Sequence, residues 1–158
     1  MNFRTILLLI FSCFSTLLNA QTLKAFLYTA NFNTPDNKSY VECYFSFDAN
    51  SIKLIEGSNK KYYGELDIYL EIKNDEHLIH HDHYNLKSPG FTDSIGNNLL
   101  FIDQQRIAIE NGSYALMIKV KDVNTNNETL VHHENILIDF KKDELAFSDI
   151  TLVEQYEK

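Results

Sequence analysis

Between Glu110 and Asp122 the chain reads Glu-Asn-Gly-Ser-Tyr-Ala-Leu-Met-Ile-Lys-Val-Lys-Asp, a tight turn followed by a run with a period of two. Asn111-Gly112 is a turn dipeptide, because both residue types tolerate positive φ at low steric cost. Beyond it Tyr114, Leu116, Ile118 and Val120 fall on one face, and Ala115, Met117, Lys119 and Lys121 on the other. That repeat fits a half-buried strand and gives a helix no apolar stripe. Tyr62–Ile72 carries the same signal: Tyr62, Leu66, Ile68, Leu70 and Ile72 face in, with Gly64 in register, while Tyr63, Glu65, Asp67, Tyr69 and Glu71 face out. Gly64 inside such a run suggests a bulge or a close backbone approach.

The remaining segments follow the same rule. Residues 22–32 form a first strand whose facing is ambiguous, since Phe26 and Tyr28 oppose Leu23, Ala25 and Leu27. Tyr40–Phe47 is a second, with Val41, Cys43, Phe45 and Phe47 inward and Tyr40, Glu42, Tyr44 and Ser46 outward. A short strand at Ile52–Ile55 precedes the Tyr62–Ile72 run, and His77–Leu86 follows it. Leu99–Ile109 has a polar middle, Asp103-Gln104-Gln105-Arg106, which suits an edge or exposed strand. Leu130–Phe140 is the last long strand, with Ile136, Ile138 and Phe140 inward. About eight short strands with Gly, Asn or Pro turns and no convincing helix predict an all-β fold, a two-sheet antiparallel sandwich. A turn followed two residues later by an inward tyrosine resembles the tyrosine corner of immunoglobulin-like domains. The expected class is therefore an immunoglobulin- or fibronectin-III-like sandwich of about 7–8 strands.

Residues 1–20 read as a signal peptide: Arg4 charges the start, Ile6–Leu18 is apolar, and Leu18-Asn19-Ala20 offers a cleavage site before Gln21. The alternatives are a retained N-terminal anchor and lipidation at Cys13. Cleavage leaves one domain, residues 21–144, and a tail, 145–158, that pairs as an edge strand or leads elsewhere. No other stretch is apolar enough to span a bilayer. Losing Arg4 turns a net charge of −8 into −9. That charge disfavours nucleic acid and anionic membranes as partners. With Cys13 gone, Cys43 stands alone, and its strand face makes it a buried thiol.

The stretches Leu23-Lys24-Ala25-Phe26 and Tyr40-Val41-Glu42-Cys43-Tyr44-Phe45-Ser46-Phe47 resemble the N-terminal region of bacterial GWxTD-domain proteins. Asn111-Gly112-Ser113-Tyr114 with Asp122, and Ser148-Asp149-Ile150, fit the same pattern. The chain has no Trp, so the motif that names the family is absent. The resemblance implies an exported β-sandwich module associated with the cell envelope, periplasmic, at the outer membrane or secreted. It carries no catalytic residues.

Two constellations could bear function. His77, His81 and His83 share one strand face, and His132-His133-Glu134 lies on another strand. His81 and His83 with His132 or His133 would ligate a metal if the two strands were neighbours. Tyr40, Tyr44, Tyr63 and Tyr69 point outward and would make an aromatic contact surface for a protein or envelope component. Tyrosine is also a common cross-strand pair former, and structural pairing is the weightier explanation of the four. No nucleophile elbow or phosphate loop occurs, and the acid pairs Glu65/Asp67 and Asp75/Glu76 sit on an outward face or in a turn, where solvated charge is the default. The expectation is a non-catalytic interaction or scaffolding module without a cofactor, with Asn111, Gly112 and Tyr114 as structural residues; the alternative is a metal-binding protein.

Overall fold

A computed structural model describes residues 22–75, 77–94, 99–141 and 147–150. The expected signal peptide, residues 1–20, and most of the tail, 145–158, lie outside the described residues. The described residues form nine strands: β1 (Ala25–Asn33), β2 (Ser39–Asp48), β3 (Ile55–Glu56), β4 (Tyr62–Tyr63), β5 (Glu65–Asn74), β6 (His77–Lys87), β7 (Leu100–Ala108), β8 (Gly112–Asp122) and β9 (Leu130–Ile138). All pairings are antiparallel, in three sheets ordered β1-β2-β7, β3-β4 and β6-β5-β8-β9. The arrangement is sandwich-like, with the two larger sheets sharing one core.

That core follows the period-two pattern. Val41, Cys43, Phe45 and Phe47 of β2 meet Leu66, Ile68, Leu70 and Ile72 of β5 and Tyr114, Leu116, Ile118 and Val120 of β8. Most of these side chains are almost completely buried. Each buried Leu, Ile or Phe contributes about 1.5–3 kcal/mol relative to exposure. The lateral edges close with polar contacts. On one side the Tyr84 hydroxyl of β6 donates to Asp103 of β7 at 2.5 Å, and Gln105 Nε2 donates to the same carboxylate at 3.0 Å. Burial and then the Asp103 carboxylate raise the Tyr84 pKa, so the phenol stays protonated. On the other side Thr29 Oγ1 of β1 donates to Glu134 of β9 at 3.0 Å, and Asn31 Nδ2 donates to the Leu137 carbonyl at 3.2 Å. The polar middle of β7 thus serves an edge strand whose inward residues reach across to β6.

Several expectations need correction. The Tyr62–Ile72 run divides at Gly64, and the short strand before it is only Ile55–Glu56. A Cβ at Gly64 would lie 2.8 Å from Ile52 Cγ2, so the second explanation, close approach, applies. The Gly64 amide donates to Ser88 Oγ at 2.8 Å, and its carbonyl accepts the Ser88 amide at 2.9 Å. At the β7–β8 corner neither Asn111 nor Gly112 has positive φ; Asn37, Lys60 and Asp75 do. Gly112 is required instead because the Tyr114 ring lies against it, with the hydroxyl 2.9 Å from where a Cβ would sit. That hydroxyl donates to the Glu110 carbonyl at 2.9 Å. Asn111 pairs with backbone: its Nδ2 donates to the Phe140 carbonyl at 2.6 Å and its Oδ1 accepts the Phe140 amide at 3.1 Å. An amide side chain offers a peptide-like donor and acceptor, so it prolongs the β8–β9 ladder past Ile138.

Candidate functional site

The outward face of the three-stranded sheet carries four exposed large apolar side chains, Phe26, Tyr28, Leu100 and Ile102. Strand register sets its rows. Phe26, Ser46 and Ile102 lie across β1, β2 and β7, followed by Tyr28, Tyr44 and Gln104, then Ala30, Glu42 and Arg106, then Phe32, Tyr40 and Ala108. Phe26 is 65% exposed and Ile102 70%, with the small Ser46 between them. Leu100, one row further, and Tyr28 are also exposed. The Tyr28 and Tyr44 rings lie 6.0 Å apart, tilted by 33°, and Phe32 stacks on Tyr40 at 5.3 Å.

The opposite half of this face is built on a buried charge. Glu42, expected on the outward face, is only 4% exposed. It does face outward, but Arg106 Nε donates to Oε1 at 2.7 Å and the Tyr44 hydroxyl donates to Oε2. The Arg106 guanidinium lies 4.9 Å from the centre of the Tyr40 ring. A carboxylate can leave water when a guanidinium and a hydroxyl occupy its lone pairs. The result is an aromatic surface with neutral overall charge on a strongly acidic chain.

Of the four tyrosines expected to form one surface, the structure brings together two. Tyr40 and Tyr44 share the face just described. Tyr69 lies on the outer face of the four-stranded sheet, donating to Glu71 at 2.8 Å and meeting His83 edge-on at 6.0 Å. Tyr63 belongs to the β3–β4 hairpin, where Asn59 Nδ2 donates to its hydroxyl at 2.7 Å and Lys87 Nζ sits 4.3 Å from the ring centre. Sequence reasoning missed Phe26, Tyr28, Leu100 and Ile102. The available signal was the first strand itself, apolar on both faces, which is how a strand with a buried side and a contact side reads.

The histidines do not converge. β6 and β9 are opposite edges of one sheet, with β5 and β8 between them. Three strand spacings of about 4.8 Å separate them by roughly 14 Å. His81, Glu71, Met117 and His133 do occupy one outer row. His132 takes the alternate facing, and its ring approaches Glu134 at 3.7 Å. His83 Nε2 lies 2.6 Å from Asp67. A bulge opposite Ile72/Lys73 also moves His77 off the face of His81 and His83. Among the described residues no three His, Cys, Asp or Glu side chains are grouped to hold a metal ion. Among the same residues no helix is long and apolar enough to cross a membrane. No protein family, curated protein or solved structure matches this chain.

Cys43 is fully buried, and burial, followed by the Glu134 charge, pushes its thiol up to about 12. The thiolate fraction at neutral pH is then about 1000-fold below that of an ordinary cysteine. In a Cys13→Ser chain, a thiol reagent is expected to label Cys43 only on unfolding. Rapid labelling of the native protein, followed by absorbance, would show that the core opens at β2.

Proposed function

We propose that this chain is an exported, non-catalytic immunoglobulin- or fibronectin-III-like module that binds a protein or another envelope component through the outer face of β1-β2-β7. The observation that carries the reading is the exposed Phe26–Tyr28–Leu100–Ile102 surface, since contiguous apolar area on one sheet face marks a contact site. Its aromatic composition and the Arg106–Tyr40 stack match the residue types that dominate binding energy. The fold assignment is supported by strand order: β1, β2 and β7 correspond to strands A, B and E, and β6, β5, β8 and β9 to C′, C, F and G. The Tyr114 bond to Glu110 at the E–F connection supports it as well. Export rests on the sequence of residues 1–20, and an envelope setting on the resemblance to GWxTD-domain proteins.

The test is capture from envelope extract by the immobilised exported chain, with Phe26→Ser/Ile102→Ser on the proposed face and Tyr69→Ser on the other sheet. A partner retained by Tyr69→Ser and weakened about tenfold or more by the double variant is the expected result. Equal capture by all three proteins would remove the face from consideration.

A further inference from the structure

The outer face of the four-stranded sheet holds charge that the proposed contact face does not use. Register puts His83 of β6, Tyr69 of β5 and Lys119 of β8 in one row, and Asp67 of β5 and Lys121 of β8 in the next. These five side chains, with Thr129 just before β9, line a shallow depression of about 260 Å³. Sites for drug-sized ligands measure about 300–1,000 Å³, so this one suits a single ring. Lys119 and Lys121 are exposed, and neither forms an ion pair among the described residues. Lys119 Nζ lies 5.6 Å from the centre of the Tyr69 ring, which the His83 ring meets edge-on. The neighbouring acids differ in what they have free. Glu71 is engaged by Lys73 and the Tyr69 hydroxyl, and Glu65 accepts from Asn85. Asp67 has Oδ1 2.6 Å from His83 Nε2, while its Oδ2 has no partner among the described residues.

We propose that this depression binds one residue of an acidic sugar, a uronic acid, at a site on a different sheet from the β1-β2-β7 contact face. The mixture of groups decides the ligand class. A simple anion such as phosphate would meet repulsion from Asp67. The amides of β5 and β8 that could cradle it are spent in ladders on both sides. A neutral sugar would leave two lysines unused, and an acidic peptide would still oppose Asp67. A uronic acid uses every group. Its carboxylate sits between the Lys119 and Lys121 ammonium groups, whose strand positions are roughly 7 Å apart. Its hydroxyls donate to Asp67 Oδ2 and bond the Thr129 hydroxyl. Its C–H face packs on the aromatic surface of Tyr69 and His83, where the ring quadrupole is negative. The chain carries a net charge of −8, but at physiological ionic strength exposed charges beyond about 8 Å are largely screened, so the two lysines govern the site.

NMR titration of the full chain with glucuronate and galacturonate, against glucose, inorganic phosphate and triglutamate, tests this. At least one uronate is expected to shift the Tyr69, His83 and Lys119 amides saturably, at a concentration at least about tenfold below that needed by the other three probes. Lys119→Ala/Lys121→Ala should weaken the uronate about tenfold or more. Asp67→Ala is the sharper variant: loss of a hydroxyl acceptor weakens the sugar, whereas attraction by charge alone would grow stronger. Phe26→Ser/Ile102→Ser should leave uronate binding unchanged, so this site and the contact face stand or fall separately. Absence of a saturable shift with either uronate overturns the proposal. Equal binding of phosphate or triglutamate, or tighter uronate binding by Asp67→Ala, reduces the site to a patch of positive charge and also overturns it.

Discussion

Replacing Tyr114 with Ala is expected to lower the unfolding free energy by about 3–5 kcal/mol, the range for deleting a large aromatic from a core. Tyr114→Phe is expected to cost about 1–2 kcal/mol, because it leaves the Glu110 carbonyl without its donor while keeping the ring. The ring is 7% exposed and its hydroxyl reaches back four residues, so one side chain fills the core and fixes the corner. Gly112 is the third member of this arrangement. A Cβ there would sit 2.9 Å from the Tyr114 hydroxyl and 3.1 Å from the ring carbon that bears it. Gly112→Ala should therefore break the hydroxyl bond and cost as much as Tyr114→Phe, and the pair should be less than additive. Urea unfolding of the three single variants and Gly112→Ala/Tyr114→Phe measures this. Full additivity would mean that the glycine and the hydroxyl act independently, and the corner would have to be explained another way.

The same corner shows how far sequence alone carries. Residues with one consistent facing were legible: β2, β5 and β8 bury the alternate side chains that their period assigns to the core. Roles that depend on a partner strand were not. Glu42 alternates outward as its position requires, yet register with Arg106 on β7, 64 residues on, buries it. Periodicity contains no such information. Tyr40, Tyr44, Tyr63 and Tyr69 look alike in sequence, and only sheet membership separates them. The histidine strands are similarly indistinguishable from neighbours until β5 and β8 are placed between them. Gly112 was recognisable as necessary, but for a conformational reason that its φ does not support. What demanded glycine was a ring two residues along, a tertiary contact within a local motif.

Asp122 ends the β8 alternation and carries the second large expected effect. Its carboxylate is 5% exposed and accepts two backbone amides, Lys53 N on Oδ2 at 2.7 Å and Asn124 N on Oδ1 at 2.9 Å. These bonds hold the 51–54 segment against the sheet. Ile52 in that segment is 3% exposed and packs onto Gly64, so the carboxylate and the glycine secure one crossing from opposite sides. Asp122→Ala strands two amide donors at once and is expected to cost about 3 kcal/mol. Asp122→Asn is the sharper variant. An ionised carboxylate accepts at both oxygens, whereas an amide must present its NH2 group to one of the two N–H donors. Asn should therefore recover only one bond and still cost about 2 kcal/mol despite its matching shape. Hydrogen exchange separates the two sites: in Asp122→Asn one of the Lys53 and Asn124 amides keeps its protection and the other loses it. An Asn variant as stable as the native chain, with both amides protected, would show that one bond is dispensable and that Ile52 packing alone holds the crossing.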